Sequence, residues 1–409
     1  MKADWRSVPL SELVDPARGI SYGIVQPGSP VPGGVPIVRV SDVRNGRIDV
    51  RSPLCVAADI ERTYGRTRLR GGELLITIVG TVGETAIVPP DMVGWNVARA
   101  IAVLPVKPEV GSYWVQLGLR SPAATSMIQS RLNTTVQATL NLGDLSKLPI
   151  VLPPLHERRA VASILGALDD KIELNRRMNE TLEAMARAIF QDWFVTFGPT
   201  RAKTEGRPPY LAPDLWSLFP DRLDAEGKPE GWATCRVEEL LELVYGKSLP
   251  ATVRTEGPFP VYGSGGVTGF HATAITQPPC IIVGRKGTVG SLFWDDRPCF
   301  PIDTVFYVLP KAPMTFCFYL LKSLGLETMN TDAAVPGLNR SNVYRLTGTW
   351  GTPDLRLAFD QLVTVKRQKI FANEEENRTL AATRDLLLPR LMTGELRVKD
   401  AELGVGDAA

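Results

Sequence analysis

From about Glu157 to Phe194 the chain carries no proline, and its apolar residues recur at helical spacing. Val161, Ile164, Leu168, Met178, Leu182, Met185 and Ile189 fall on one seam, and Asn175 interrupts it in the same phase. The pattern predicts a single helix of about 55 Å at roughly 1.5 Å per residue. That is longer than a compact domain needs, so the helix is expected to bridge or to pair. A second such run covers about Asp354 to Leu388 and is expected to break near Pro389 and Gly394. Ahead of the first helix lie short β-branched runs between glycine and proline turns: Pro36 to Val40, Leu74 to Val79 and Ala100 to Leu104. They predict strands, and Ser112 to Leu132 predicts a helix.

The two halves repeat one another. Lys171, Ile172, Asn175, Asn179, Thr181 and Leu182 recur as Lys369, Ile370, Asn373, Asn377, Thr379 and Leu380, all at an offset of 198 residues. Trp5, Leu10, Glu12 and Leu13 match Trp232, Val237, Glu239 and Leu240; Gly80-Thr81-Val82-Gly83 matches Gly287-Thr288-Val289-Gly290, and Leu140-Asn141 matches Leu338-Asn339. A repeat of this kind sets the architecture before any other signal. Asparagine at a seam position costs stability but fixes register, so Asn175, Leu182, Asn373 and Leu380 are the expected helix-pairing residues of an antiparallel coiled coil. The expected fold is α+β: two mixed domains in pseudo-two-fold repeat, separated by two long antiparallel helices. The expected boundaries are 1–153 for the first domain, 154–197 for its helix, 198–231 for a proline-rich linker, 232–353 for the second domain, 354–394 for the second helix and 395–409 for a tail that frays beyond Lys399.

Composition adds constraints. With 46 Lys and Arg against 44 Asp and Glu, the net charge is +2, so no large basic field advertises nucleic acid. The charge is locally uneven, because Arg39, Arg44, Arg47, Arg51, Arg62, Arg66, Arg68 and Arg70 crowd one stretch. Such a stretch suits a polyanion or a solvated surface equally well. Five cysteines without a Cys-x-x-Cys pair predict no disulfide framework and a reduced, cytoplasmic setting. No apolar run suggests a signal peptide or a membrane span.

Catalytic chemistry is scarce. His156 and His271 stand in non-equivalent places, giving neither a general-base pair nor a metal cluster. Pro208-Pro209-Tyr210 has Arg207 where an adenine-methylating loop needs an amide or acid, and Asp214 with Glu226-Gly227-Lys228 imitates a nuclease pattern only inside the linker. The segment Gly284 to Gly290 lacks the Gly-Lys-Ser/Thr ending of a nucleotide-binding loop. The paired Gly-Thr-Val-Gly turns can bring backbone and side chains close to a phosphate backbone, or serve as plain hairpin turns. Arg285 and Lys286 stand in the second of them.

The chain resembles the specificity subunits of type I restriction-modification enzymes. The likeness rests on Trp5 and Trp232, the paired Gly-Thr-Val-Gly loops, Leu152-Pro153-Pro154-Leu155, Asp170-Lys171-Ile172-Glu173-Leu174-Asn175, and Leu387 to Leu396. It implies a non-catalytic subunit with two target-recognition domains, each reading half of a gapped DNA site, while the helices fix the gap. It further implies two copies of a methyltransferase subunit as partners, with a restriction subunit in systems that cleave. S-adenosylmethionine, ATP and magnesium would belong to those partners, with no cofactor or metal in this chain. The expected DNA contacts are Arg39, Arg62, Arg66, Arg68, Gly80, Thr81, Ser264, Arg285, Lys286, Thr288, Asn339 and Arg340. The chain departs from the pattern at Gly351-Thr352-Pro353 and at Glu376 and Thr383, which take phases held by Met178 and Met185 in the first helix. Two other functions compete with this one: a coiled-coil scaffold that ignores DNA, and an autonomous nuclease or methyltransferase.

Overall fold

A computed structural model describes residues 5–50, 52–132, 138–329 and 337–396; Arg51 and residues 397–409 of the expected tail lie outside them. The chain divides into two units, Met1–Ile172 with Asn377–Ala409, and Glu173–Glu376. The long helices Leu155–Phe194 and Pro353–Met392, each of 40 residues, are shared between the units rather than standing apart as segments of their own.

In the first unit a four-stranded antiparallel sheet runs in the order Ser21–Tyr22, Ile101–Leu104, Leu74–Thr77, Thr85–Ile87. A second sheet places Val35–Val38 between Leu54–Val56 and, in parallel, Asn96–Val97. The second unit repeats both sheets: Leu241–Tyr245, Val305–Pro310, Cys280–Gly284, Leu292–Asp295 in one, and Phe259–Gly263 between Gly266–His271 and Phe300–Pro301 in the other. Each unit also pairs its opening strand with the strand before its long helix, Arg6–Pro9 with Pro149–Leu152 and Thr234–Arg236 with Thr347–Thr349.

The central strands are covered on both faces, which is why they read as continuous apolar runs rather than alternating ones. Leu74, Ile76, Ala102 and Leu104 face one core, while Leu75, Ile101 and Val103 face another. The second unit sorts Ile281, Val283, Phe306 and Val308 from Cys280, Ile282 and Val305 in the same way.

The helices join the cores with different chemistry. Val161 and Leu165 of the first helix meet Leu388, Leu391 and Met392 of the second in an aliphatic cluster of the first unit. In the second unit the cluster is aromatic: Phe194 lies 5.1 Å from Phe316 and 5.5 Å from Phe359, both edge-on. The antiparallel course is plain inside this unit, since contacts climb one helix as they descend the other. Asn175, 1% exposed, donates to Glu376 at 2.7 Å. Asn373, also 1% exposed, donates to Asn179 at 2.7 Å, and Asn179 donates to the Ile370 carbonyl at 3.3 Å. Glu183 accepts from Tyr319 at 2.8 Å and Arg367 at 3.2 Å. The first unit has a matching set, in which Asp169 accepts from Tyr113 at 2.9 Å and Arg384 at 2.8 Å. Burial first, and the facing carboxylate second, push the Tyr113 and Tyr319 hydroxyls far above their ordinary range.

Several expectations need correction. Leu182 and Leu380 are only half-buried, and Met178 and Met185 are exposed, so the asparagines rather than these apolar positions occupy the tight seam. Glu376, which breaks the apolar pattern, is the acceptor for Asn175. Pro389 does not break the second helix, which runs on to Met392. A proline removes one helical N–H, a loss of about 3 kcal/mol, and burial of Leu388, Leu391 and Met392 in the core offsets it. Ser112 to Leu132 is two helices, because Ser121 caps a new one with Pro122 at its first turn. The expected linker holds two short helices, Gly198–Thr204 and Pro213–Ser217, and inserts Phe219 against Trp193 at 5.2 Å.

Candidate nucleic-acid interface

The two Gly-Thr-Val-Gly turns are built on one hydrogen-bond frame. Gly83 donates its amide to the Thr77 carbonyl, and Gly290 to that of Gly284, both at 2.9 Å. Gly80 and Gly287 sit at φ of 80° and 83°, where a side chain is strained, so the repeated glycines are dictated by the turn itself. A Cβ on Gly290 would also lie 2.3 Å from the Glu327 amide. The tips, Thr81 and Thr288, are exposed. One residue before each turn, Val79 bridges Thr139 and Lys286 bridges Gly337. The next residues of those segments, Leu140 and Leu338, donate their amides to Ile78 and Arg285.

Asn141 and Asn339 then cap short helices, each side-chain oxygen accepting a backbone amide, that of Asp144 at 2.7 Å and that of Ser341 at 2.9 Å. Their shared role is thus structural.

In the second unit this frame gathers half of the expected DNA contacts. Ser291 donates to the Ser264 carbonyl at 2.5 Å, which ties the Phe259–Gly263 hairpin turn to the glycine loop. Exposed Lys286 and Thr288 lie on that loop. The guanidinium carbons of Arg285 and Arg340 each lie 5.0 Å from the ring centroid of Tyr245. Arg340 also donates to the Leu243 carbonyl at 3.2 Å. Among the described residues neither arginine pairs with a carboxylate, and the Arg285 Nε is buried without a partner.

The first-unit arginines behave differently. Arg39 forms a box with Asp42, donating its backbone amide at 2.8 Å and its Nε at 3.4 Å. Arg68 pairs with buried Glu61, which also accepts from Asn96 at 3.0 Å. The hydrogen bond from Arg68 holds the Glu61 carboxyl below its ordinary value. Arg66 donates to the Arg18 carbonyl at 3.1 Å, and Arg62 ends the short helix Ala58–Arg62 on the exposed surface. Arg39, Arg66 and Arg68 therefore hold loops of their own, and their bonds lead away from Gly80 and Thr81.

Sequence reasoning missed two tyrosines. Tyr22 pairs with Ala102 and Tyr245 with Phe306, on equivalent edge strands, and they are 48% and 47% exposed. The following glycines donate to equivalent carbonyls, Gly23 to Ile101 at 3.2 Å and Gly246 to Val305 at 3.1 Å. A Cβ on Gly23 or Gly246 would come within 1.9 or 2.0 Å of a carbonyl oxygen, so only glycine fits.

Residues 28–184 match the family described as Type I restriction modification DNA specificity domain. Over 196 residues the chain is 30% identical to the type I restriction enzyme EcoBI specificity subunit of Escherichia coli, covering 46% of this chain and 41% of that protein. It is 24% identical over 340 residues to the HindI specificity subunit of Haemophilus influenzae, covering 66% and 73%. The match thus spans less than half of the E. coli protein. The fold resembles the crystal structure of the type-I restriction-modification S subunit from M. genitalium, with a TM-score of 0.54 and 18% identity over 96% of this chain and 98% of that one. One sheet-and-loop frame is built twice, with a pair of long helices. Over the matched lengths the chain is similar to the specificity subunits of type I restriction-modification systems.

Proposed function

We propose that this chain is the DNA-reading subunit of a type I restriction-modification complex. Each domain reads one half of a bipartite target, and the paired helices set the gap and dock two copies of a methyltransferase subunit. A restriction subunit joins where the system cleaves. Methyl transfer from S-adenosylmethionine, and any ATP- and magnesium-dependent cleavage, are chemistry of those partners; this chain supplies position and specificity. The duplicated loop frame supports the reading most directly, because two equivalent turns in two equivalent domains suit two half-sites. Among the described residues no group of His, Cys, Asp and Glu could hold a metal, and no helix is long and apolar enough to cross a membrane.

With a net charge of +2, the isolated chain is expected to bind DNA weakly and to gain sequence-specific binding with its methyltransferase partner. The test is to map N6-methyladenine in DNA from a host carrying the complete system. A gapped, two-part methylated motif that disappears when this chain is deleted supports the reading. An ungapped motif, or methylation indifferent to the deletion, overturns it.

A further inference from the structure

The Tyr-Gly pair stands at the same place in both domains, but its neighbours differ. Ile78 and Arg285 are equivalent, since each donates its amide to the carbonyl before the central strand, Ala100 at 2.8 Å and Thr304 at 3.0 Å, and each accepts from a leucine. Leu142 and Arg340 are equivalent as the first residues of the asparagine-capped helices. Around Tyr245 those two positions are arginines; around Tyr22 they are aliphatic. Two guanidiniums converging on one half-exposed ring, without a carboxylate partner among the described residues, form a cationic site that an electron-rich ligand would complete.

We propose that Arg285 and Arg340 are specificity-determining residues for the second half-site, reading guanine through its O6 and N7, and that Tyr245 is the positioning residue that holds them. The inference rests on the DNA-reading function proposed above and deepens it. Arginine presents two parallel donors that match the guanine edge in the major groove, whereas lysine presents a point charge. A guanidinium on a flexible stem loses rotamer freedom when it binds; stacking on a ring fixed in the sheet removes part of that loss beforehand. The tyrosine itself is fixed because Gly246 seats its strand against the Ile302 carbonyl, where no Cβ fits. In the first domain Ile78 is buried and, among the described residues, no guanidinium takes its place, so Tyr22 stands without this reader and the first half-site is read by other means.

The test uses the complete methyltransferase complex, reading the methylated motif by sequencing and binding by titration on duplexes carrying each base at every half-site position. In Arg340→Lys and Arg285→Lys the charge is kept and the fork is lost. Discrimination for guanine at one or two positions of the second half-site should fall roughly 5- to 100-fold in at least one of them. The first half-site should remain as it is. Tyr245→Phe should keep the specificity and Tyr245→Leu should lose it, a split that separates ring stacking from the hydroxyl. Lys286→Ala should instead weaken binding to all sequences alike and lower the salt slope by about one. An unchanged second half-site in both lysine variants, or one that never contained guanine, overturns the inference while leaving the two-domain reading intact. A wild-type complex that methylates no gapped motif would defeat the parent reading instead.

Discussion

The two domains share a backbone and differ in what they hang on it. Around the second glycine loop the structure places Arg285, Lys286 and Arg340, with Tyr245 carrying both guanidiniums. Around the first it places Ile78, Val79 and Leu142, while Arg39 is engaged with Asp42 and Arg68 with Glu61. Duplication has therefore preserved the frame, which glycine geometry and buried strands enforce, and freed the surface, which only a ligand constrains. The helix junctions tell the same story: aliphatic in the first unit, aromatic in the second, and a tyrosine–acid–arginine set in each. In both sets the acid comes from the first long helix and the arginine from the second.

The comparison is most strongly broken at the helix junctions. Trp193→Ala removes a buried side chain whose ring lies 6.2 Å from Phe194 and from Phe359. It should cost about 3–5 kcal/mol in the second unit, and Leu165→Ala about 2–5 kcal/mol in the first. Thermal unfolding followed by hydrogen exchange should assign each loss to its own unit. A loss of protection spread evenly over both would mean the halves do not unfold separately.

Next come the glycine turns. Gly83 has open space around its missing Cβ, so Gly83→Ala should cost about 1–2 kcal/mol from backbone strain alone. Gly290→Ala should cost more, because the new methyl meets the backbone of Leu326 and Glu327. Equal costs in chemical denaturation would contradict this difference.

Glu183→Gln should destabilise the second unit by roughly 1–3 kcal/mol, since Tyr319, Lys322 and Arg367 all donate to that carboxylate. Asp169→Asn should do the same in the first unit with a smaller effect, having fewer donors. The smallest effect is a pH dependence confined to the first domain. Arg68 depresses the Glu61 carboxyl below its ordinary value near 4.5. The stability it contributes is present above that value and is lost as pH falls through the depressed one. Wild type should therefore lose more stability than Glu61→Gln between about pH 6 and about pH 3. Parallel acid-unfolding curves would show that the pair is not linked to folding.

Much of this architecture is written in the periodicity. The two helices show because long runs of helical spacing outweigh local noise, although the second continues past Pro389, where the sequence predicts a break. The glycine loops show because positive φ admits so few other residues. Surface chemistry is less legible. Tyr-Gly occurs at Tyr64-Gly65 and Tyr262-Gly263 as well as at Tyr22-Gly23 and Tyr245-Gly246, so the dipeptide alone does not single out the equivalent pair. The crowded arginines of the first domain look available in sequence, but Arg68 is held by a glutamate whose other partner, Asn96, lies far along the chain. Arg285 and Arg340 stand 55 residues apart and meet only over a ring contributed by a third segment.

The central claim is that two equivalent frames read two half-sites independently. Exchanging residues 5–153 for the corresponding domain of a type I specificity subunit, in the methyltransferase complex proposed above, tests it most directly. The methylated motif should change in one half and keep the other half unaltered. Loss or alteration of both halves, in a complex that still assembles and melts as the parent does, would contradict the account.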